Sequence, residues 1–168
     1  PGQRLEVLRF QLLREPPPPD GFRLWMLNRL HDGAYRAEVS RLLDSAGERR
    51  LEIPFELDDY ARRLTRRDKL LYAINVNGAR NEALRAGRAA AHFSFVLDGD
   101  CWLGPREWEE TLAAIERDQR SNPERRYYSL PMVRAGFEEA LSGELRRRRL
   151  EEPQLAFRED SELFFDES

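Results

Sequence analysis

The residues best placed for chemistry are Asp98 and Asp100, separated only by Gly99. They directly follow Phe93-Ser94-Phe95-Val96-Leu97, and the stretch 92–97 reads as the clearest strand in the chain. Glycine lets the backbone turn tightly between the two acids. Two adjacent carboxylates form an all-oxygen site, which is the donor set Mg²⁺ or Mn²⁺ takes together with water and phosphate oxygens. Such a metal neutralises a diphosphate and stabilises it as it leaves. The tripeptide alone is common, and aspartates after strands also cap helices or make turns.

The position of the pair depends on the elements around it. Residues 5–13 carry clustered apolar positions that suit a strand or a short helix. The proline run 16–19 then reads as an extended linker, so the compact domain is expected over 21–168. A buried strand is expected over 22–27, followed by a polar turn. Tyr35, Val39, Leu42 and Leu43 lie on one helical face, with Gly47 placed to end that helix. Short strands are expected over 51–55 and 69–75, a short helix within 56–68, and a turn at Asn75-Val76-Asn77-Gly78. Helices follow over 79–87 and from Pro105, which suits a first turn. Strands at 126–133 and 154–157 flank a charged helix at 136–149. This alternation predicts an α/β fold with a largely parallel sheet. In such sheets ligands sit outside the carboxyl ends of the strands, which is where Asp98 and Asp100 fall.

Composition narrows the function classes. The chain has 168 residues, 40% of them apolar and 35% charged, with a net charge of −3. A balance of that kind is not the signature of a nucleic-acid or membrane-surface binder. One cysteine, Cys101, rules out a disulfide framework within the chain and reads as a small filler beside Asp100. His31 and His92 are too few for a histidine cluster. No apolar run reaches the length of a membrane span, and no leader is visible, which favours the cytoplasm. Without an initiator Met the chain reads as a processed form or a fragment.

With Asn77-Gly78-Ala79-Arg80-Asn81 opening a helix and Phe93–Asp100 closing a strand in Leu-Asp-x-Asp, the chain resembles the family 2 glycosyltransferases of GT-A fold over about 72–102. The resemblance implies a three-layer α/β/α sandwich with a mostly parallel sheet. It implies a nucleotide-diphosphate sugar as donor, Mn²⁺ or Mg²⁺ as cofactor, and a glycan or lipid-linked acceptor. Asp98 is then expected at the ribose or the metal, and Asp100 as a metal ligand. Arg80 and Asn81 lie near the nucleotide and its phosphates. Asn28 opens the loop that corresponds, by position only, to the family's base-holding loop. The late Glu159-Asp160 pair resembles the family's Glu-Asp motif, with Asp160 as the base that deprotonates the acceptor. The strand at 51–55 ends without the family's base-contacting acid, which leaves the nucleobase open. Two other readings stand beside this one. One is a non-catalytic GT-A-like binding domain of a larger protein. The other is a nucleotidyltransferase, which usually shows a glycine-rich loop after its first strand, where this chain has Asn28-Arg29-Leu30-His31-Asp32.

Overall fold

A computed structural model describes residues 5–136, 139 and 149–166. The elements run α1 (Leu5–Arg14), β1 (Leu24–Asn28), α2 (Gly33–Ser45), β2 (Arg49–Ile53), α3 (Leu57–Arg62), α4 (Arg66–Ile74), α5 (Val76–Arg88), β3 (Phe93–Val96), α6 (Pro105–Ser121), β4 (Tyr127–Arg134) and β5 (Arg149–Arg158). The class is mixed α/β. The largely parallel sheet expected from the alternation is not what forms. β1 and β2 pair in parallel, whereas β3, β5 and β4 make an antiparallel sheet in that order. The reason is β5, which runs back between β3 and β4 and takes the ladder edge that a parallel neighbour would have used.

Several elements follow directly from local chemistry. Asp32 caps α2 by accepting from the Ala34 and Tyr35 amides, and Gly47 leaves the helix end at φ +69°. Pro105 opens α6. The strand expected over 69–75 is instead the helix α4, which Thr65 starts by accepting the Asp68 amide. Asn75 sits between α4 and α5 in the left-handed region at φ 42°, so the expected four-residue turn shrinks to one residue and α5 begins at Val76. The charged helix expected over 136–149 lies largely outside the described residues.

Two packed clusters build the core. Leu8 of α1, Leu27 of β1, and Val39 and Leu43 of α2 form one, so the N-terminal helix packs on the first strand and its helix. Leu84 of α5, Val96 and Phe157 form the other. β3 alternates as a strand should. Ser94 and Val96 face α5, and Phe95 meets Trp108 of α6 edge-on at 5.1 Å between ring centroids. Gly87 is the closest approach of α5 to β3: a Cβ there would overlap the Ser94 hydroxyl and come within 2.9 Å of the Ser94 Cβ.

α5 packs against both β1 and β3. At its start, Asn28 at the end of β1 donates to the Ile74 carbonyl at 2.7 Å, and Arg80 reaches Asp98 past the end of β3. β1 therefore ends at the α4–α5 junction and β3 ends about one turn further along α5. Their facing edges are not paired to each other. A cavity of about 580 Å³ lies between them, with Asn28, Arg80 and Asp98 toward its carboxyl-end mouth and Gln11 and Glu15 also on its wall.

Two expectations follow from this packing. Gly87→Ala forces Ser94 and the strand to move, and overpacking of that kind should cost about 1–3 kcal/mol in urea unfolding. Unchanged stability would mean the helix and strand are not this close. Glu15 is buried, accepts the Leu103 amide at 3.0 Å and lies near Arg23. Burial outweighs both and pushes its carboxyl above the usual range. Its stability contribution is thus full below the unfolded value near 4.5 and is lost as pH rises through the folded value. Glu15→Gln keeps an acceptor for Leu103 without the buried charge. Its melting temperature relative to the parent should therefore be higher at pH 7 than at pH 4, and the opposite trend would contradict the assignment.

Candidate functional site

The site grows from the first two turns of α5. Arg80, one turn into that helix, grips the Asp98 carboxylate with two nitrogens. Nε lies 3.2 Å from Oδ1, and Nη2 lies 2.7 Å from each oxygen. The guanidinium is mostly shielded and the carboxylate half-shielded, with side-chain exposures of 17% and 38%. A forked, partly desolvated pair of this kind is far more directional than a surface ion pair. The Arg80 guanidinium also lies over the Phe165 ring, 5.1 Å from its centre. From the other side, the buried Gln154 of β5 accepts the Asp98 amide through its Oε1 at 3.1 Å. The Asp98 carbonyl accepts the Cys101 amide at 2.8 Å and closes the turn that carries Gly99 and Asp100 into solvent. The start of α5 adds the unpaired backbone amides that any helix start has, and these favour anions.

The predicted residues divide by what they touch. Asp98 and Arg80 come together, while Asp100, two residues on, is exposed on the turn and does not line the cavity. Asn28 stands on the same rim, but both ends of its amide are engaged. It donates to the Ile74 carbonyl and accepts from Asn75 Nδ2 at 3.0 Å, so it braces the α4–α5 junction. Asn81 is buried and holds the backbone of Phe165 from both sides, donating to its carbonyl at 2.9 Å and accepting its amide at 2.8 Å. It ties the C-terminal segment to α5. Cys101 is half-buried, and burial together with Asp100 and Asp98 pushes its thiol up to about 11, which keeps it protonated and inert near neutrality.

Asp160 falls at the far end of the sheet. Arg158 pairs with Phe93 at the start of β3, and Asp160 lies beyond it, whereas Asp98 lies beyond the end of β3. At about 3.3 Å per residue the two are roughly 20 Å apart along the strand. Arg158 holds the Asp160 carboxylate through bonds of 2.6 and 2.8 Å, and Arg126 adds a contact at 3.4 Å. The Arg158 hydrogen bond keeps it below the usual carboxylate range, the reverse of what a base working near neutrality needs.

The antiparallel return of β5 brings other residues to the Asp100 end. β5 extends past the end of β3, and Glu151 there accepts from Arg134 of β4 at 2.8 and 3.1 Å. Arg134 is held above its ordinary range, first by Glu151, with the Asp100 charge adding to it. Neither Gln154 nor the Arg134–Glu151 pair carries a motif. Only the pairing register reveals them, and a buried glutamine in a strand is the one hint the sequence offers.

The fit of a divalent ion rests on few groups. Among the described residues no cluster of three or more His, Cys, Asp or Glu side chains is gathered. Asp100 presents an exposed carboxylate, while that of Asp98 is shared with Arg80. This set suits an ion completed by phosphate and water, as Mg²⁺ commonly is, and not a closed protein cage. No family model, curated protein or solved structure matches the chain. Among the described residues no helix is long and apolar enough to cross a membrane.

Removing Asn81 tests the clamp on the C-terminal segment. Asn81→Ala leaves the Phe165 amide and carbonyl without partners and should cost about 1–3 kcal/mol. Hydrogen exchange at the Phe165 amide should accelerate more than at β3 amides. Equal protection of the Phe165 amide in the parent and in Asn81→Ala would show that the segment is held by its phenylalanines alone.

Proposed function

We propose that the chain binds a nucleotide-diphosphate sugar at the rim shared by β1, β3 and α5, and that it is a GT-A-like glycosyltransferase domain. The observation that carries this reading is the Arg80–Asp98 fork at the mouth of the cavity, with Asp100 exposed beside it. Support also comes from the strands themselves. β1 and β3 both end near the start of α5, so the rim lies outside their carboxyl ends, next to the anion-favouring start of that helix. The cavity is large enough for a nucleotide-sized ligand, and its largely apolar walls also carry Gln11, Glu15 and Arg23. The start of α5 and the Arg80 guanidinium attract the diphosphate, and Asp100 holds the metal with Asp98 oriented behind it. Mn²⁺ or Mg²⁺ bound there supplies the positive charge that a departing diphosphate needs. On the acceptor side, Glu151 is a carboxylate at the same end of the sheet as Asp100. Arg134 holds it as Arg158 holds Asp160, so it can take a proton from an acceptor hydroxyl, a glycan or lipid-linked alcohol, only once a ligand draws Arg134 away. Asp160 has no part in this mechanism.

One observation favours the second reading, a non-catalytic GT-A-like binding domain. Arg80 and Asp98 already satisfy each other, and Glu151 is likewise paired with Arg134. A site that only binds can leave both pairs intact.

A thermal-shift screen of nucleoside diphosphates with and without Mn²⁺ tests the binding. Ligand at ~100 times its dissociation constant should add about 2.7 kcal/mol. Asp100→Asn is expected to abolish the metal-dependent part, and no metal-dependent gain with any nucleotide would end the proposal. Arg80→Ala should weaken a nucleoside diphosphate more than the bare nucleoside, since only the former carries charge to pair. Once a donor is identified, Glu151→Gln should lower turnover by ~10²–10⁴ while Asp160→Asn leaves it unchanged. Turnover with neither variant affected selects a different base, and binding without turnover selects the second reading.

A further inference from the structure

The overall charge balance conceals a local asymmetry on α4. The helix carries Arg66, Arg67 and Lys69 against one carboxylate, Asp68. Just before it, Arg63 lies over the Tyr72 ring, as Lys69 lies over Tyr60, which leaves Arg66 and Arg67 as the cations of the outer face. Around it lie large apolar side chains open to water: Leu64 at 95% exposure, Leu70 at 57%, Leu71 at 50% and Ile74 at 47%. At about 100° per residue, Leu70, Leu71 and Ile74 share one face of α4 with Arg66 and Arg67. Tyr72 lies on the opposite face and is buried, packed edge-on against Phe55 at 5.6 Å. Asp68 projects near the Tyr72 side, in the first turn, where a negative charge suits the helix. Asp59 is taken up by an ion pair with Arg62. The inner face of α4 is thus fixed by an aromatic cluster. The outer face combines leucines with guanidinium groups and carries no carboxylate of its own.

We propose that this face docks on an anionic lipid bilayer. A helix lying in the interface places apolar side chains at the acyl boundary and its cations at the headgroup phosphates, and the two demands are met together here. A nucleic acid would satisfy the arginines and leave the leucines in water. The face also sits beside the candidate site. α4 ends at Ile74 and Asn75, the backbone groups that Asn28 grips, and Arg80 follows a turn later. Docking through α4 therefore holds the rim close to the bilayer surface. The proposal stands without the glycosyltransferase reading, because lipid binding needs no sugar donor.

Co-sedimentation of the full chain with vesicles tests it. The chain should partition onto vesicles containing phosphatidylglycerol and not onto phosphatidylcholine alone. Binding should weaken as salt shortens the screening length from about 8 Å at physiological strength to 3 Å at 1 M. Each basic residue near such a surface is worth about fivefold, so Arg66→Gln with Arg67→Gln should reduce partitioning about thirtyfold. Leu70→Ser with Leu71→Ser should reduce it as well, with the arginine variant keeping the parent's melting temperature and the leucine variant, whose side chains are about half covered, still unfolding cooperatively. Partitioning that is equal in parent and variants, or absent on anionic vesicles, overturns the proposal. Stronger salt-sensitive retention on nucleic acid than on vesicles overturns it in favour of a nucleic-acid face. Self-association lost in the leucine variant without vesicle binding overturns it in favour of a second copy of the chain.

Discussion

The fork between Arg80 and Asp98 is the interaction on which the rest of the site depends. It joins the first turns of α5 to the end of β3, elements that otherwise meet through the packing of Leu84 on Val96 and the close approach of Gly87 to Ser94. Each partner is braced in turn. Gln154 holds the Asp98 backbone, and Phe165 lies against the Arg80 guanidinium while Asn81 clamps its main chain. A charge pair with 17% and 38% exposure gains more from its geometry than an open surface pair, and loss of either partner leaves the other half-shielded and unpaired. The direction in which Asp100 points follows from this, since the turn that carries it is anchored at Asp98.

Much of this arrangement was legible locally. The apolar run before Asp98 forms a strand, the Ala-Arg-Asn segment lies in a helix, and Pro105 opens another. Chain-local signals of this kind set element type. The strand expected over 69–75 does not form because Leu70, Leu71 and Ile74 lie on the exposed face of a helix. The Thr65-Arg66-Arg67-Asp68 start signal was there to correct it. Pairing was not legible. The antiparallel return of β5 follows from contacts far apart in sequence, and the charged start of β5 at Glu151 and Glu152, followed by Pro153, hid half its length.

The same non-local pairing decided the site. Asp98, Arg80 and Asp100 could be placed from one strand and the helix before it, because a helix–strand unit fixes its own ends. Asn81 and Asp160 could not. The role of Asn81 depends on Phe165, which lies 84 residues away. The position of Asp160 depends on the direction in which β5 crosses the sheet. A motif resemblance near the end of a chain says nothing of which sheet end it will reach. That direction carries Asp160 past the start of β3 and Glu151 past its end, on the side of Asp98.

The central claim is where a metal–nucleotide complex sits, and amide signal broadening by Mn²⁺ measures this directly. With a nucleoside diphosphate bound, Mn²⁺ should broaden the amides of Gly99, Asp100 and Cys101 and those of Asn77 to Arg80. The amides of Glu159, Asp160 and Ser161, at the other end of the sheet, should stay sharp. Broadening centred on Asp160, or spread evenly over the exposed acids, would contradict the account.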